Sequence, residues 1–153
     1  MTPMNTLRYE EHDSLGILTL SRPERLNALN YEMVRELRTF FQNRAREFAT
    51  RVIIITGEGR GFCAGLDLRM GAEEGPWVEG VGPVQTSYAF QEDIAELMTL
   101  MRACPQPLIA AVNGPAAGGG LSLALACDVR IATPSARFAC SFVNLGLSGC
   151  DVG

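Results

Sequence analysis

Two glycine-rich junctions constrain this chain more than any other feature: Phe62-Cys63-Ala64-Gly65-Leu66-Asp67-Leu68 and Asn113-Gly114-Pro115-Ala116-Ala117-Gly118-Gly119-Gly120. Each follows a short apolar run, Val52-Ile53-Ile54-Ile55 or Leu108-Ile109-Ala110-Ala111-Val112, that reads as a buried strand. Both junctions are read as opening a helix. Amides in a first helical turn lack intrahelical partners and lie at the positive end of the helix dipole. Two such ends converging on one point would present paired N–H donors to an oxygen on which charge develops. Taken singly, either cluster also fits a tight turn that lets helix and sheet pack closely.

Around the junctions the hydrophobic pattern alternates between strand and helix periods. Leu7 to Leu20 reads as two strands with a turn at His12-Asp13-Ser14. Asn30 is expected to cap a helix whose apolar stripe is Met33, Val34, Leu37, Phe40, Phe41, Ala45 and Phe48. Residues 71–87 carry Gly71, Gly75, Pro76, Gly80, Gly82 and Pro83, so a lid-like loop is expected there. Within it Trp77 either covers a ligand or packs on the core, and Glu73 and Glu74 are solvated or reach a substrate. Ser87 is expected to cap a second helix with Phe90, Ile94, Leu97, Met98 and Met101 on one side, stopped by Pro105 and Pro107. A short apolar helix at 119–126 and a strand at 129–132 follow. The whole reads as one α/β domain over 1–153, long enough to bury roughly 70% of its unfolded surface.

Composition excludes several chemistries. All thirteen basic residues are Arg, so Schiff-base, pyridoxal-lysine and Walker-type phosphate chemistry lack their amine. The net charge of −4 gives no basic footprint for nucleic acid. No apolar run approaches the ~20 residues of a membrane span, and the polar N-terminus is unlike a signal peptide. Cys63, Cys104, Cys127, Cys140 and Cys150 contain no C-x-x-C pair and lie mostly in apolar runs, which suits reduced cytoplasmic thiols. Gly59-Arg60-Gly61-Phe62-Cys63-Ala64 fits a dinucleotide fingerprint, but Gly71, Gly75 and Pro76 interrupt the long helix that fold needs. Gly120-Leu121-Ser122-Leu123-Ala124 mimics a nucleophile elbow, yet the single histidine, His12, lies before the serine rather than after it.

Taken together, Leu15-Gly16-Ile17-Leu18-Thr19-Leu20-Ser21-Arg22-Pro23-Glu24-Arg25-Leu26-Asn27-Ala28-Leu29, the two junctions, Ala126-Cys127-Asp128, and Gly146 to Gly153 resemble the crotonase (enoyl-CoA hydratase/isomerase) superfamily, in family order and over almost the whole chain. The resemblance implies a spiral of ββα units with sheets packed against helices. It implies an acyl-CoA substrate, with coenzyme A as part of that substrate and no further cofactor or metal. It places the two oxyanion-hole amides at Leu66 and Gly119. Arg25, Leu26, Ala28, Ala64, Asp67, Leu68 and Arg69 are expected to border the CoA, with the arginines otherwise ordinary surface charges.

The family's two hydratase glutamates fall at Ser122 and Phe142, which are expected to line the acyl pocket instead. Neither can act as a general acid or base. Asp151 is the remaining candidate, either as a catalytic carboxylate or as the cap of a following helix. Relatives continue into a C-terminal helical region used for trimer contacts, so a homo-trimer or hexamer is expected if that region is present. The chain as given is expected to lack a complete acyl pocket and to expose apolar surface near 140–153 unless a partner covers it. A crotonase scaffold that binds acyl-CoA or a protein partner without turnover is the rival reading.

Overall fold

The computed structural model describes residues 4–70, 81–146 and 149. Strand β1 (Leu7–His12) pairs antiparallel with β2 (Leu15–Leu20) through the Asp13 turn. Helix α1 (Tyr31–Arg44) then crosses to β3 (Val52–Gly57), and helix α2 (Pro83–Arg102) leads to β4 (Leu108–Val112). Strand β5 (Ala116–Ala117), helix α3 (Gly119–Ala126), β6 (Val129–Ala132), β7 (Phe138–Ala139) and a 3-10 turn at Phe142–Leu145 follow among the described residues. The main sheet has the order β1-β2-β3-β4-β6, parallel from β2 onward, and β5 pairs with β7 in a small second sheet.

The strands alternate as period-two elements do. Leu18 and Leu20, Ile53 and Ile55, and Leu108, Ala110 and Val112 are buried on one face. The helices cover that face. Met33, Leu37, Phe40 and Phe41 of α1 and Phe90, Ile94, Leu97 and Met101 of α2 join those strand residues in one core cluster. Arg38 of α1 pairs with Asp93 and Glu96 of α2, tying the helices together on their outer side. Asn30 accepts the Met33 N–H at 3.0 Å, the expected cap.

Several expectations are corrected. Helix α1 ends at Arg44, and Phe48 lies beyond it, 82% exposed, because the chain turns toward β3 before another helical turn could bury it. Helix α2 starts at Pro83 with Gly82 as its N-cap, not at a Ser87 cap; proline fits the first helical position because its missing N–H would be unpaired there anyway. The 71–87 loop therefore ends by residue 82, while 71–80, with Glu73, Glu74 and Trp77, lie outside the described residues. Strand β3 runs on to Gly57. The first junction opens no helix over residues 62–70; it continues as an extended segment bridged to Ala116 and Leu29.

Burial also settles the thiols' behaviour. It pushes Cys63 and Cys127 up to about 12, whereas Cys140 is exposed, and all three are free. Alkylation of the native protein at mildly alkaline pH should therefore label Cys140 and spare Cys63 and Cys127 until the chain is unfolded. Peptide mapping checks this, and native labelling of Cys63 would contradict the packing.

Candidate functional site

The two junctions meet because glycines let backbone touch backbone. A side chain on Gly120 would begin 2.1 Å from the Cys63 carbonyl oxygen, so α3 starts in direct contact with the first junction. Gly65 has φ +91°, and a Cβ there would lie 2.6 Å from the Ala117 oxygen and 3.4 Å from the Gly119 nitrogen. Asn113 reinforces the approach: its side chain donates to the Gly57 and Gly59 carbonyls and accepts the Gly57 N–H. Phe62 and Cys63 N–H groups both donate to the Pro115 oxygen, and the Ala117 N–H donates to Cys63.

The direction of the two expected donor amides follows from their neighbours. The Gly65 carbonyl accepts the Leu29 N–H at 2.7 Å. In a planar trans peptide the following N–H points the opposite way, so the Leu66 N–H is turned from Leu29. The Asp67 N–H returns to the Leu29 carbonyl at 2.9 Å, so the bridge pairs Leu66 with Leu29 without using the Leu66 N–H. The Gly118 carbonyl accepts the Ser122 N–H along α3, so the Gly119 N–H points out of the helix end. Among the described residues neither amide donates to a protein acceptor.

Leu66 and Gly119 both line one cavity of about 260 Å³, with Leu29, Gly118, Phe142 and Ile94 of α2 among its walls. Its polar side chains are Gln91, Ser141 and Asn144; no carboxylate, histidine or thiol is in its lining among the described residues. Phe142 stands over Gly118, its ring 3.9 Å from where a Gly118 side chain would begin. Ser122 is not in the lining: it is 1% exposed inside α3, and its hydroxyl donates to the Gly118 carbonyl at 3.3 Å. Asp151 lies outside the described residues.

A second cavity, of about 340 Å³, adjoins the first along Ala64, Leu66 and Leu68. Its walls gather Arg25, Leu26, Ala28, Asp67 and Arg69 with those residues, together with Glu24 and Arg60. Arg60 escaped the sequence reading although its place was visible, between Gly59 and Gly61 just past a strand end. Asp67 is less available than expected. Its carboxylate is 6% exposed and holds Arg22 at 2.9 Å, so the side chain faces inward. Burial pushes Asp67 up, but the Arg22 hydrogen bond, the Arg69 N–H and the charges of Arg22 and Arg25 hold it below the usual carboxylate range. His12 sits at the far end of β1 beside Glu10, in neither cavity lining.

Residues 10–151 match the family model described as enoyl-CoA hydratase/isomerase. A probable enoyl-CoA hydratase of Rhodobacter capsulatus is 47% identical over 143 residues, covering 94% of this chain and 52% of that protein. The enoyl-CoA hydratase of Bacillus anthracis superposes with TM-score 0.82 at 33% identity, over 96% of this chain and 55% of that one. A Legionella pneumophila enoyl-CoA hydratase/isomerase (crotonase) candidate superposes with TM-score 0.85 at 33% identity, over 99% of this chain and 56% of that one. The chain thus spans about half the length of the relatives it matches.

Proposed function

The chain belongs to the enoyl-CoA hydratase/isomerase family and has the crotonase fold, and from that premise we propose that it binds acyl-CoA thioesters and polarises the thioester carbonyl. The observation that carries this reading is the pair of unpaired amides, Leu66 and Gly119, on one cavity wall. A thioester oxygen received there would be stabilised as it gains charge, which favours loss of an α-proton to form the enolate. The acyl chain occupies the cavity beneath Phe142. The CoA arm passes Ala64, Leu66 and Leu68 into the second cavity, where Arg25, Arg60 and Arg69 face its phosphates. Breaking the α C–H bond needs a base, and Asp151 is the carboxylate that the family resemblance supplies for it.

A second reading, in which acyl-CoA is bound without turnover, is supported by the first cavity's lining, which among the described residues holds no titratable side chain. The compartment is the cytoplasm on this proposal, in keeping with four free cysteines among the described residues; no described helix is long and apolar enough to cross a membrane. Val129, Ile131, Phe138 and Val143 are between 48% and 78% exposed, and such exposed apolar side chains are in keeping with the trimer or hexamer implied for the family.

Calorimetry with butyryl-CoA tests the binding claim. Saturable binding is expected, with Arg60→Ala weakening it about tenfold and making its salt dependence shallower, because one phosphate contact is gone. Absence of binding to any CoA ester would sink the reading. Exchange of the butyryl α-hydrogens with deuterated water separates enzyme from binder.

A further inference from the structure

The segment 64–68 is shared by the walls of the two cavities. Ala64, Leu66 and Leu68 line both cavities, while the Asp67 carboxylate turns back to Arg22. Behind it stands a second wall, residues 22–28, which turns through left-handed conformations at Leu26 (φ +51°) and Asn27 (φ +56°). Arg22 spans both. One guanidinium nitrogen donates to the Ala28 carbonyl at 2.5 Å and the other to the Asp67 carboxylate at 2.9 Å. The second Asp67 oxygen accepts the Arg69 N–H at 3.1 Å, and Asp67's own N–H is held by Leu29. Asn27 closes the frame, accepting the Arg22 N–H and donating to the Glu58 and Gly61 carbonyls.

We infer that the buried Arg22–Asp67 pair is a positioning device that aims the Leu66 amide into the acyl cavity. Both members are largely removed from water, with side chains 14% and 6% exposed. A buried ion pair of this kind contributes little net stability, because desolvation offsets the attraction, so geometry is the better account of its presence. The second cavity is walled by the 64–68 segment on one side and the 22–28 turn on the other, and the first shares the 64–68 wall. The guanidinium fork sets the distance between segment and turn. Displacement of an oxyanion donor by about 1 Å is enough to forfeit much of its effect. The low Asp67 pKa keeps the carboxylate charged: its contribution is present above the unfolded value of 3.8 and is lost only as pH falls through the lower folded value.

The inference rests on the acyl-thioester reading, and one experiment separates the two. Infrared difference spectra of bound butyryl-CoA labelled with carbon-13 at the thioester carbonyl report how strongly the oxygen is polarised. The wild-type protein should lower the carbonyl frequency on binding. Asp67→Asn should lose about half of that shift or more, while Arg22→Lys, which keeps a cation opposite Asp67, retains more of it than Asp67→Asn does. A folded Asp67→Asn protein with the full shift overturns the positioning role. If Asp67→Asn does not fold, Asp67→Glu takes its place under the same criterion: a changed shift supports the role and an unchanged one overturns it. Wild-type binding with no shift removes the thioester reading itself, and the positioning role with it.

Discussion

Substituting alanine for Gly65 is expected to destabilise the protein by about 3 kcal/mol or more, the sum of a strained left-handed backbone and an overlap that cannot relax. With φ at +91°, any side chain is disfavoured there, and its Cβ would press to 2.6 Å from the Ala117 oxygen. That oxygen belongs to β5, which is pinned between the first junction and β7, so neither side can yield cheaply. In a protein of this size such a loss lowers the melting temperature by roughly 10 °C. Gly146→Ala is the control: φ is +68° but nothing lies within 4 Å of the added carbon, so only the backbone term of about 1 kcal/mol remains. Gly120→Ala belongs with Gly65→Ala, since its Cβ would lie 2.1 Å from the Cys63 oxygen, an overlap that about 1 kcal/mol of better helix propensity does not offset. Urea and thermal unfolding followed by circular dichroism give all three values. Equal destabilisation by Gly65→Ala and Gly146→Ala would mean that the junctions do not press on each other as described.

The order of these effects shows which parts of the molecule were legible in the sequence. Strands β2, β3 and β4 and helix α1 follow local period and capping, so Leu18, Ile53 and the Asn30 cap could be read directly. The two junctions could also be located, because glycine runs after apolar runs have few other uses. Their difference could not. Both are glycine-rich, yet only Gly119 begins a helix; the Leu66 N–H is left unused by a bridge to Leu29, thirty-seven residues earlier in the chain. Nothing local to Gly65-Leu66-Asp67 announces that bridge. The same holds for Arg22 and Asp67, which the sequence presents as a motif arginine and a CoA-side aspartate, and which the fold brings into one buried pair. Pro83 was different, since a proline beside a glycine already marks a helix start.

On the proposed reading the first cavity, which has no titratable side chain in its lining among the described residues, leads to the other large expectation: this chain should hydrate crotonyl-CoA at least about 10⁴-fold more slowly than an ordinary hydratase. Adding water to a 2-enoyl thioester requires two proton movements. A base takes a proton from the water as its oxygen bonds to the β-carbon, and an acid delivers one to the α-carbon as the enolate collapses. Each such group typically contributes about 10²–10⁴ in rate. At the two positions where the family resemblance places the glutamates stand Ser122 and Phe142. The Ser122 hydroxyl is buried in α3 with the Gly118 carbonyl as its acceptor, and Phe142 offers only its ring to the cavity. Gln91, Ser141 and Asn144 can orient a water molecule but do not titrate near neutral pH. On the proposed reading, polarisation of the thioester is untouched by these losses, because the backbone amides of Leu66 and Gly119 would supply it. One further carboxylate, Asp151, could serve one proton movement and not both, which suits shuttling a proton between carbons better than adding water. The check is the fall in ultraviolet absorbance of the conjugated thioester, run beside α-hydrogen exchange on butyryl-CoA. Slow hydration with measurable exchange fits a proton-shuttling enolate site, whereas hydration at an ordinary rate would place a complete acid–base pair outside Ser122 and Phe142.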